Sequence, residues 1–478
     1  MGFSTRWRGL GSETVRTGDL LERHPLPESL LPAHAEAGTR VVYRGVGYDG
    51  ARRAVSGSVF VPVGSAPPSG WPVVGYAHGT TGLADHCAPS RVGLPSRERA
   101  HVARWLAAGY AVAATDYEGL ATPGPHPYFH GEAVADDVID VVRAARNLHD
   151  HVGRTWLVVG FSQGAHAALF TGLMAGRYAP ELDFRGTVAL APPVQMPSLV
   201  RFLTGNGNRP VSLLLPFLLA GARTDVDARV FLTDTGRRLV DQAKRATLVE
   251  MFRAVRGVTN DDAGLTDLHW RPGIASVLDA CRVPVTRMDR PVFLTAGAAD
   301  EIVPAEVVAA FAADLRRAGA DVRFERHEHA THVDLLDAGL DEVIAWATRN
   351  VRVRTSFDLF DADHDGVLTG DDFAVCALRL AQACGSAPGS PAALAVRAGY
   401  AALWQAIAAG ADTDADDSVD RTEFLRHVET GDGFGQQIDA LADAVLRLAA
   451  GSDSVPATEI AAAVRDPGRT DDWLFARL

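Results

Sequence analysis

The stretch Thr155-Trp156-Leu157-Val158-Val159-Gly160-Phe161-Ser162-Gln163-Gly164-Ala165-His166-Ala167-Ala168-Leu169-Phe170 decides how the rest of the chain is read. Its first seven residues are apolar and partly β-branched, the pattern of a buried strand. The residues from Gln163 onward form a helical pattern. A serine between two glycines at such a joint is placed to become a nucleophile. The turn is sharp and strained, and glycines two before and two after keep side chains out of it. The helix N-terminus that follows puts backbone N–H groups beside any oxyanion that develops. Gly-x-Ser-x-Gly alone is weak evidence. The strand before it and the helix after it give it weight.

Working outward, residues 39–350 alternate short apolar runs with longer helical patterns. The strand-like runs are RVVYRGV, SGSVFVP, WPVVGYAH, YAVAATDY, TWLVVGF, GTVALAPP, PVFLTAG and DVRFERH. Helical patterns over 96–108, 133–149 and 164–175 lie between them. Such alternation predicts an α/β fold with a mostly parallel sheet covered on both faces. The first two runs meet at Tyr48-Asp49-Gly50 and should form an antiparallel edge hairpin. Residues 195–289 break the alternation with helical patterns only. Their place between two strands puts them over the strand ends, as a helical cap or as an extra structural subdomain.

A serine hydroxyl needs a base in hydrogen-bond reach, and the base needs an acid to hold it. After Ser162 the order should be acid, then histidine. Asp300 follows PVFLTAG, with Glu301 as the rival acid. His332 follows DVRFERH, with His327 and His329 as rival bases. His78-Gly79-Thr80-Thr81-Gly82 follows WPVVGYA. This turn could supply the amide of Thr80 to an oxyanion hole shared with the amide of Gln163, or it could merely link strand to helix.

The motifs HGTTGLADHCAPSR, TDYEGLATPGPHPYFHG, GFSQGAHAALF and YAPELDFRGTVALAPP, in that order, resemble the secretory lipase family of the lipase A type. The resemblance covers residues 18–350. It implies an α/β-hydrolase fold, hydrolysis of carboxylic esters including triglycerides, and a helical cap that forms an acyl-binding tunnel. The family's nucleophile, acid and base fall on Ser162, Asp300 and His332. Ala165 stands where the family often has glycine.

Hydrophobic residues make up 47% of the 478 and charged residues 22%, the balance of a soluble globular chain with ample core. No apolar run was expected to span a membrane; residues 211–222 are the densest and contain Pro216. The opening 25 residues hold no apolar signal region, which points to the cytoplasm, while the family resemblance implies secretion. Cys87 and Cys281 fall in the same expected domain, as a disulfide or as two buried thiols. The oligomeric state is not legible.

Net charge is −13, and residues 354–478 hold 21 acidic against 9 basic residues. The first 353 residues are close to neutral. This asymmetry predicts two domains, 1–353 and 354–478, and argues against nucleic-acid binding, which needs basic surface. Within the acidic part, Asp361, Asp363, Asp365, Gly366, Val367 and Asp372 fit positions 1, 3, 5, 6, 7 and 12 of an EF-hand calcium loop. Asp412, Asp414, Asp416, Ser418 and Glu423 fit a second, with Asp417 where glycine is expected. Residues 449–459 have the shape of a third without ligands. The region resembles calerythrin-like EF-hand proteins, down to the closing RTDDWLFARL. Calcium is thus the expected ion, structural or regulatory, and the hydrolase chemistry needs none. The function expected is a serine carboxylic ester hydrolase with a calcium-binding module. The rivals are a thioesterase, peptidase or acyltransferase on the same three residues, or a calcium-binding protein with a vestigial hydrolase domain.

Overall fold

The computed structural model describes residues 16–427, apart from 68–69, 223–226, 364, 384–385, 421–422 and 425. Residues 449–459 and the closing segment therefore lie outside the described residues. Two compact units emerge: Met1–Gly64 with Pro72–Val343, and Ser65–Trp71 with Ile344–Leu478. The helix Leu340–Phe360 runs across the expected boundary at residue 353.

The first unit is built on nine strands: β1 (Leu20–Pro25), β2 (Ala35–Val46), β3 (Arg52–Pro62), β4 (Trp71–Ala77), β5 (Ala111–Thr115), β6 (Val152–Phe161), β7 (Asp183–Leu190), β8 (Val292–Gly297) and β9 (Val322–His327). Their order in the sheet is β1-β2-β3-β5-β4-β6-β7-β8-β9. The pairs β1–β2, β2–β3 and β3–β5 are antiparallel. The pairs β4–β5, β6–β7, β7–β8 and β8–β9 are parallel. The Tyr48-Asp49-Gly50 turn joins the β2–β3 hairpin as expected. Every residue of β5 and β8 is buried, as parallel strands covered on both faces require.

Helices Ser96–Ala107, Gln163–Tyr178 and Ala305–Arg317 make the crossovers from β4 to β5, β6 to β7 and β8 to β9. From β4 the chain moves to one side, to β5, while β6 lies on the other. That reversal opens a crevice outside the strand C-termini, where open α/β sheets bind ligands.

The β7–β8 connection is the exception. It carries six α-helices, Met196–Thr204, Leu214–Gly221, Asp234–Ala243, Leu248–Ala254, Asn260–Ala263 and Ile274–Ala280, and no strand among the described residues. These helices bury their own apolar cluster, including Met196, Leu215, Phe217, Met251 and Leu268. Tyr128 and Phe129, from the β5–β6 connection, belong to that cluster too. Cys87 and Cys281 are both buried and free, so the thiol alternative describes them. Burial pushes the Cys281 thiol up to about 12.

In the second unit, the helices Leu340–Phe360, Gly370–Ala383 and Pro391–Ala411 surround a core of Phe357, Phe373, Tyr400, Trp404 and Ile407. Strands β10 (Val367–Leu368) and β11 (Val419–Asp420) form a short antiparallel pair between two acidic loops. Pro391–Ala411 is long and apolar enough, at a mean hydropathy of 1.2, to cross a membrane by length and composition alone. The expectation that no apolar run is long enough to span a membrane, with residues 211–222 as the densest, did not single out this segment. Here Val396, Tyr400, Leu403 and Ile407 are spent on the core of this unit.

Candidate active site

Four strand C-termini deliver the site: β4 leads to His78-Gly79-Thr80, β6 to Ser162, β8 to Asp300 and β9 to His332. Ser162 sits at φ 54° and ψ −117°, a conformation a residue with a side chain rarely takes. Its N–H donates to the Leu190 carbonyl at 2.9 Å, and its carbonyl accepts from Ala165 at 2.9 Å. The flanking glycines are steric necessities. A Cβ on Gly160 would lie 2.0 Å from the Gly164 carbonyl oxygen, and one on Gly164 would lie 1.8 Å from the Ala77 oxygen.

The Ser162 hydroxyl lies 2.9 Å from His332 Nε2, and His332 Nδ1 lies 2.7 Å from Asp300 Oδ2. With the ring proton on Nδ1, the imidazole donates to Asp300 and accepts from Ser162. The other oxygen of Asp300 accepts from the amides of Ile302 at 2.8 Å and Val303 at 2.9 Å, which fixes the carboxylate. Asp300 and His332 are both buried, and the Phe161 ring packs 5.1 Å from the imidazole. Glu301 and His329 are exposed, and His327 sits beside Glu325 at the end of β9. None of these three joins the chain of hydrogen bonds.

The turn after β4 is held from beneath by a residue that the sequence reading passed over. Buried Glu98, on the helix Ser96–Ala107, accepts from the Gly79 amide at 3.0 Å and from the Tyr76 hydroxyl at 2.8 Å. Burial raises its carboxyl pKa. The Gly79 amide is thereby committed. Among the described residues, the amides of Thr80 and Gln163 make no hydrogen bond. Thr80 also touches the cap cluster, its hydroxyl lying 2.6 Å from that of Tyr128. The Gln163 side chain is held by His126 at 2.8 Å. Glu98 sits in SRERAH, which reads as a solvated charged face; only the fold brings it under β4.

In the second unit, ligand atoms of Asp361, Asp363 and Asp372 lie within 4.8 Å of one another, as do those of Asp412, Asp414 and Asp416. The donors are all oxygens, the set a hard cation takes. Gly366 has φ 90° and Asp417 φ 64°, so Asp417 adopts the left-handed conformation for which glycine is favoured. Asp416 raises the Asp414 carboxyl pKa by like-charge repulsion. Asp365 and Glu423 lie outside the two groups. Asp365 accepts from the Val367 amide, and Glu423 from the amides of Thr413 and Asp420. The Ser418 amide and hydroxyl both donate to Asp416.

The sheet order, the crossovers and the turn at Ser162 define an α/β-hydrolase. The secretory lipase family model matches residues 94–357, more than half of the chain, and the chain belongs to that family, a carboxylic ester hydrolase kind. A Mycobacterium tuberculosis protein named "probable inactive lipase" is 26% identical over 341 residues, covering 67% of this chain and 74% of its own. Lipase A of Moesziomyces aphidis is 23% identical over 346 residues, covering 67% and 73%. Among solved structures, Candida antarctica lipase A in its closed state superposes with a TM-score of 0.58 at 22% identity, covering 71% of this chain and 83% of that one. The rice cell wall degrading esterase LipA of Xanthomonas oryzae gives 0.56 at 19%, covering 71% and 97%. At these identities the structural likeness speaks for the fold.

Proposed function

We propose that the chain hydrolyses carboxylic esters through an acyl-enzyme on Ser162. The observation that carries this reading is the single imidazole of His332 within hydrogen-bond distance of both Ser162 and Asp300. Ser162 Oγ attacks the ester carbonyl while His332 Nε2 takes its proton. The amides of Thr80 and Gln163 receive the oxyanion, and Asp300 stabilises the imidazolium. His332 then protonates the departing alkoxide. Water, activated by the same imidazole, cleaves the acyl-enzyme and releases the acid. The preorganised amides act without reorganising at the moment of reaction, which is where such sites gain most.

The test is turnover of p-nitrophenyl esters. Ser162→Ala should lower kcat by about 10⁴-fold or more, and unchanged turnover would sink the assignment. The inactive label on the mycobacterial relative favours a second reading, a vestigial scaffold. A fluorophosphonate probe separates the two: labelling at Ser162 supports the enzyme, and a folded protein that stays unlabelled supports the scaffold.

In the same reading, residues 1–353 form the hydrolase and residues 354–478 a calcium-binding module. Asp361, Asp363, Asp365, Asp372 and the Val367 carbonyl would hold one ion. Asp412, Asp414, Asp416, Ser418 and Glu423 would hold the other. The ion would neutralise clustered carboxylates and stiffen a small helical domain. The family's description as secretory favours a secreted setting over the cytoplasmic one expected from the N-terminus.

A further inference from the structure

The cap has an outer surface unlike the rest of the first unit. Among the described residues thirteen large apolar side chains are exposed, and six of them lie within 195–289, a fifth of the chain: Phe202, Val230, Val249, Phe252, Trp270 and Val285. Val249 and Phe252 are 58% and 57% exposed. Three residues apart on the helix Leu248–Ala254, they share a face. Met251 and Val255 fill the buried side of the same segment, so the exposed pair is a second apolar face.

Arginine surrounds that face. Arg253 follows Val249 at a spacing of four on the helix, Arg256 lies just past its C-terminus and Arg245 just before it, all three exposed. Arg253 also lines a cleft of about 550 Å³ with Glu250 of its own helix and with Arg238, Thr235 and Gln242 from the neighbouring helix Asp234–Ala243, so the two arginines there outnumber one acid. Among the described residues none of Arg238, Arg245, Arg253 and Arg256 has an ion-pair partner, whereas Arg229, Arg237, Lys244 and Arg282 of the same cap are paired. Arg253 and Arg238 have Glu250 and Asp234 as electrostatic neighbours, while Arg245 and Arg256 stand without one among the described residues, so in a unit close to neutral overall this apolar knob carries a local excess of positive charge.

The helix is also tied to the candidate active site. The Leu248 amide donates to the Thr81 carbonyl at 2.8 Å, and Thr247 bridges Gly82. Its root is thus one residue from Thr80.

We propose that this face docks on an anionic lipid surface. Val249 and Phe252 enter among the acyl chains, and the four arginines lie at the level of the headgroup phosphates. Short apolar groups rimmed by basic side chains suit the boundary between headgroups and hydrocarbon. The charge complementarity selects anionic over neutral lipid, each basic residue near such a surface contributing about fivefold in affinity. The proposal rests on the ester-hydrolase reading for its purpose, since docking brings the Thr80 turn to an ester-bearing surface.

The test is vesicle co-sedimentation with full-length Ser162→Ala, so that lipid is bound without being cleaved. Binding should occur on phosphatidylglycerol vesicles, be at least tenfold weaker on phosphatidylcholine, and fall in 0.5 M salt. Phe252→Ser, and separately Arg253→Glu with Arg256→Glu, should each weaken it at least tenfold. These positions are exposed, and thermal melting verifies that the variants fold. No binding, equal binding to neutral vesicles, or full binding by either variant overturns the proposal. A dimer seen by light scattering and dispersed by Phe252→Ser would also overturn it, assigning the face to a second copy. Failure of the hydrolase reading would show elsewhere, as absent fluorophosphonate labelling of the unmutated chain.

Discussion

Glu98 shows how a residue remote from the reacting atoms can govern a site. Its carboxyl holds the Gly79 amide, which leaves the next amide, that of Thr80, uncommitted. Glu98→Ala should release the turn and lower kcat at least tenfold with KM little changed, since misplacing one oxyanion donor costs up to about 10²–10³. Glu98→Gln keeps an acceptor of the same shape and should restore most of the rate. Equal losses in both variants, or a loss confined to KM, would reduce Glu98 to a packing role. Gly164 makes a simpler case. A methyl group there meets the Ala77 carbonyl at 1.8 Å, so Gly164→Ala should cost more than about 3 kcal/mol in a denaturant melt or yield no folded protein. The hydrogen-bond chain runs through the three residues that the order of strand ends singles out, because each must sit on a strand C-terminus. Glu98 was not legible, since an acid between Arg97 and Arg99 looks like part of a solvated, charged helix face.

At the scale of an element, the helix Gly131–Leu148 carries Glu132, Asp136 and Asp140 at spacings of four, with Asp137 beside them. Burial first, then Asp140 and Glu132, raise the Asp136 carboxyl from 3.8 to about 7, and Arg143 opposes them. Below about pH 4 this group is protonated whether the chain is folded or not. Between pH 4 and 7 only the unfolded chain ionises it, so stability should fall as pH rises through that window and level off above it. Asp136→Asn should flatten this dependence and add on the order of 2 kcal/mol at pH 8 in thermal or denaturant melts. A variant no more stable than its parent at pH 8 would contradict this.

Elements were legible where burial is two-sided. Eight of the nine strands of the main sheet announce themselves as apolar runs, and β5 and β8 are buried throughout. The ninth, β1, reads LLERHP with four exposed residues. Paired to β2 alone and with none of its residues fully buried, it has no apolar pattern to display.

At the scale of the molecule, the acidic loops give a prediction independent of the hydrolase. Titration calorimetry should find at most two calcium sites, and Asp412→Ala should remove one. Chelation should lower the melting temperature of the second unit while leaving the turnover of soluble esters within about twofold. A large loss of turnover on chelation would show that the ion has a regulatory role instead. Charge points to a division at residue 353, because nearly the whole excess of acid lies beyond it, whereas the division by packing falls between Val343 and Ile344, inside the helix Leu340–Phe360, at a place that charge does not mark. The cap's arginine-rimmed face was not, because pairing and exposure arise only in three dimensions. The distance along the chain between Ser162 and His332 has a consequence for biosynthesis. The serine leaves the ribosome 170 residues ahead of the imidazole it is hydrogen-bonded to. At ordinary translation speeds that is roughly ten to thirty seconds. Throughout that interval the nascent polypeptide carries only an ordinary alcohol, harmless to the esters of the cell that makes it.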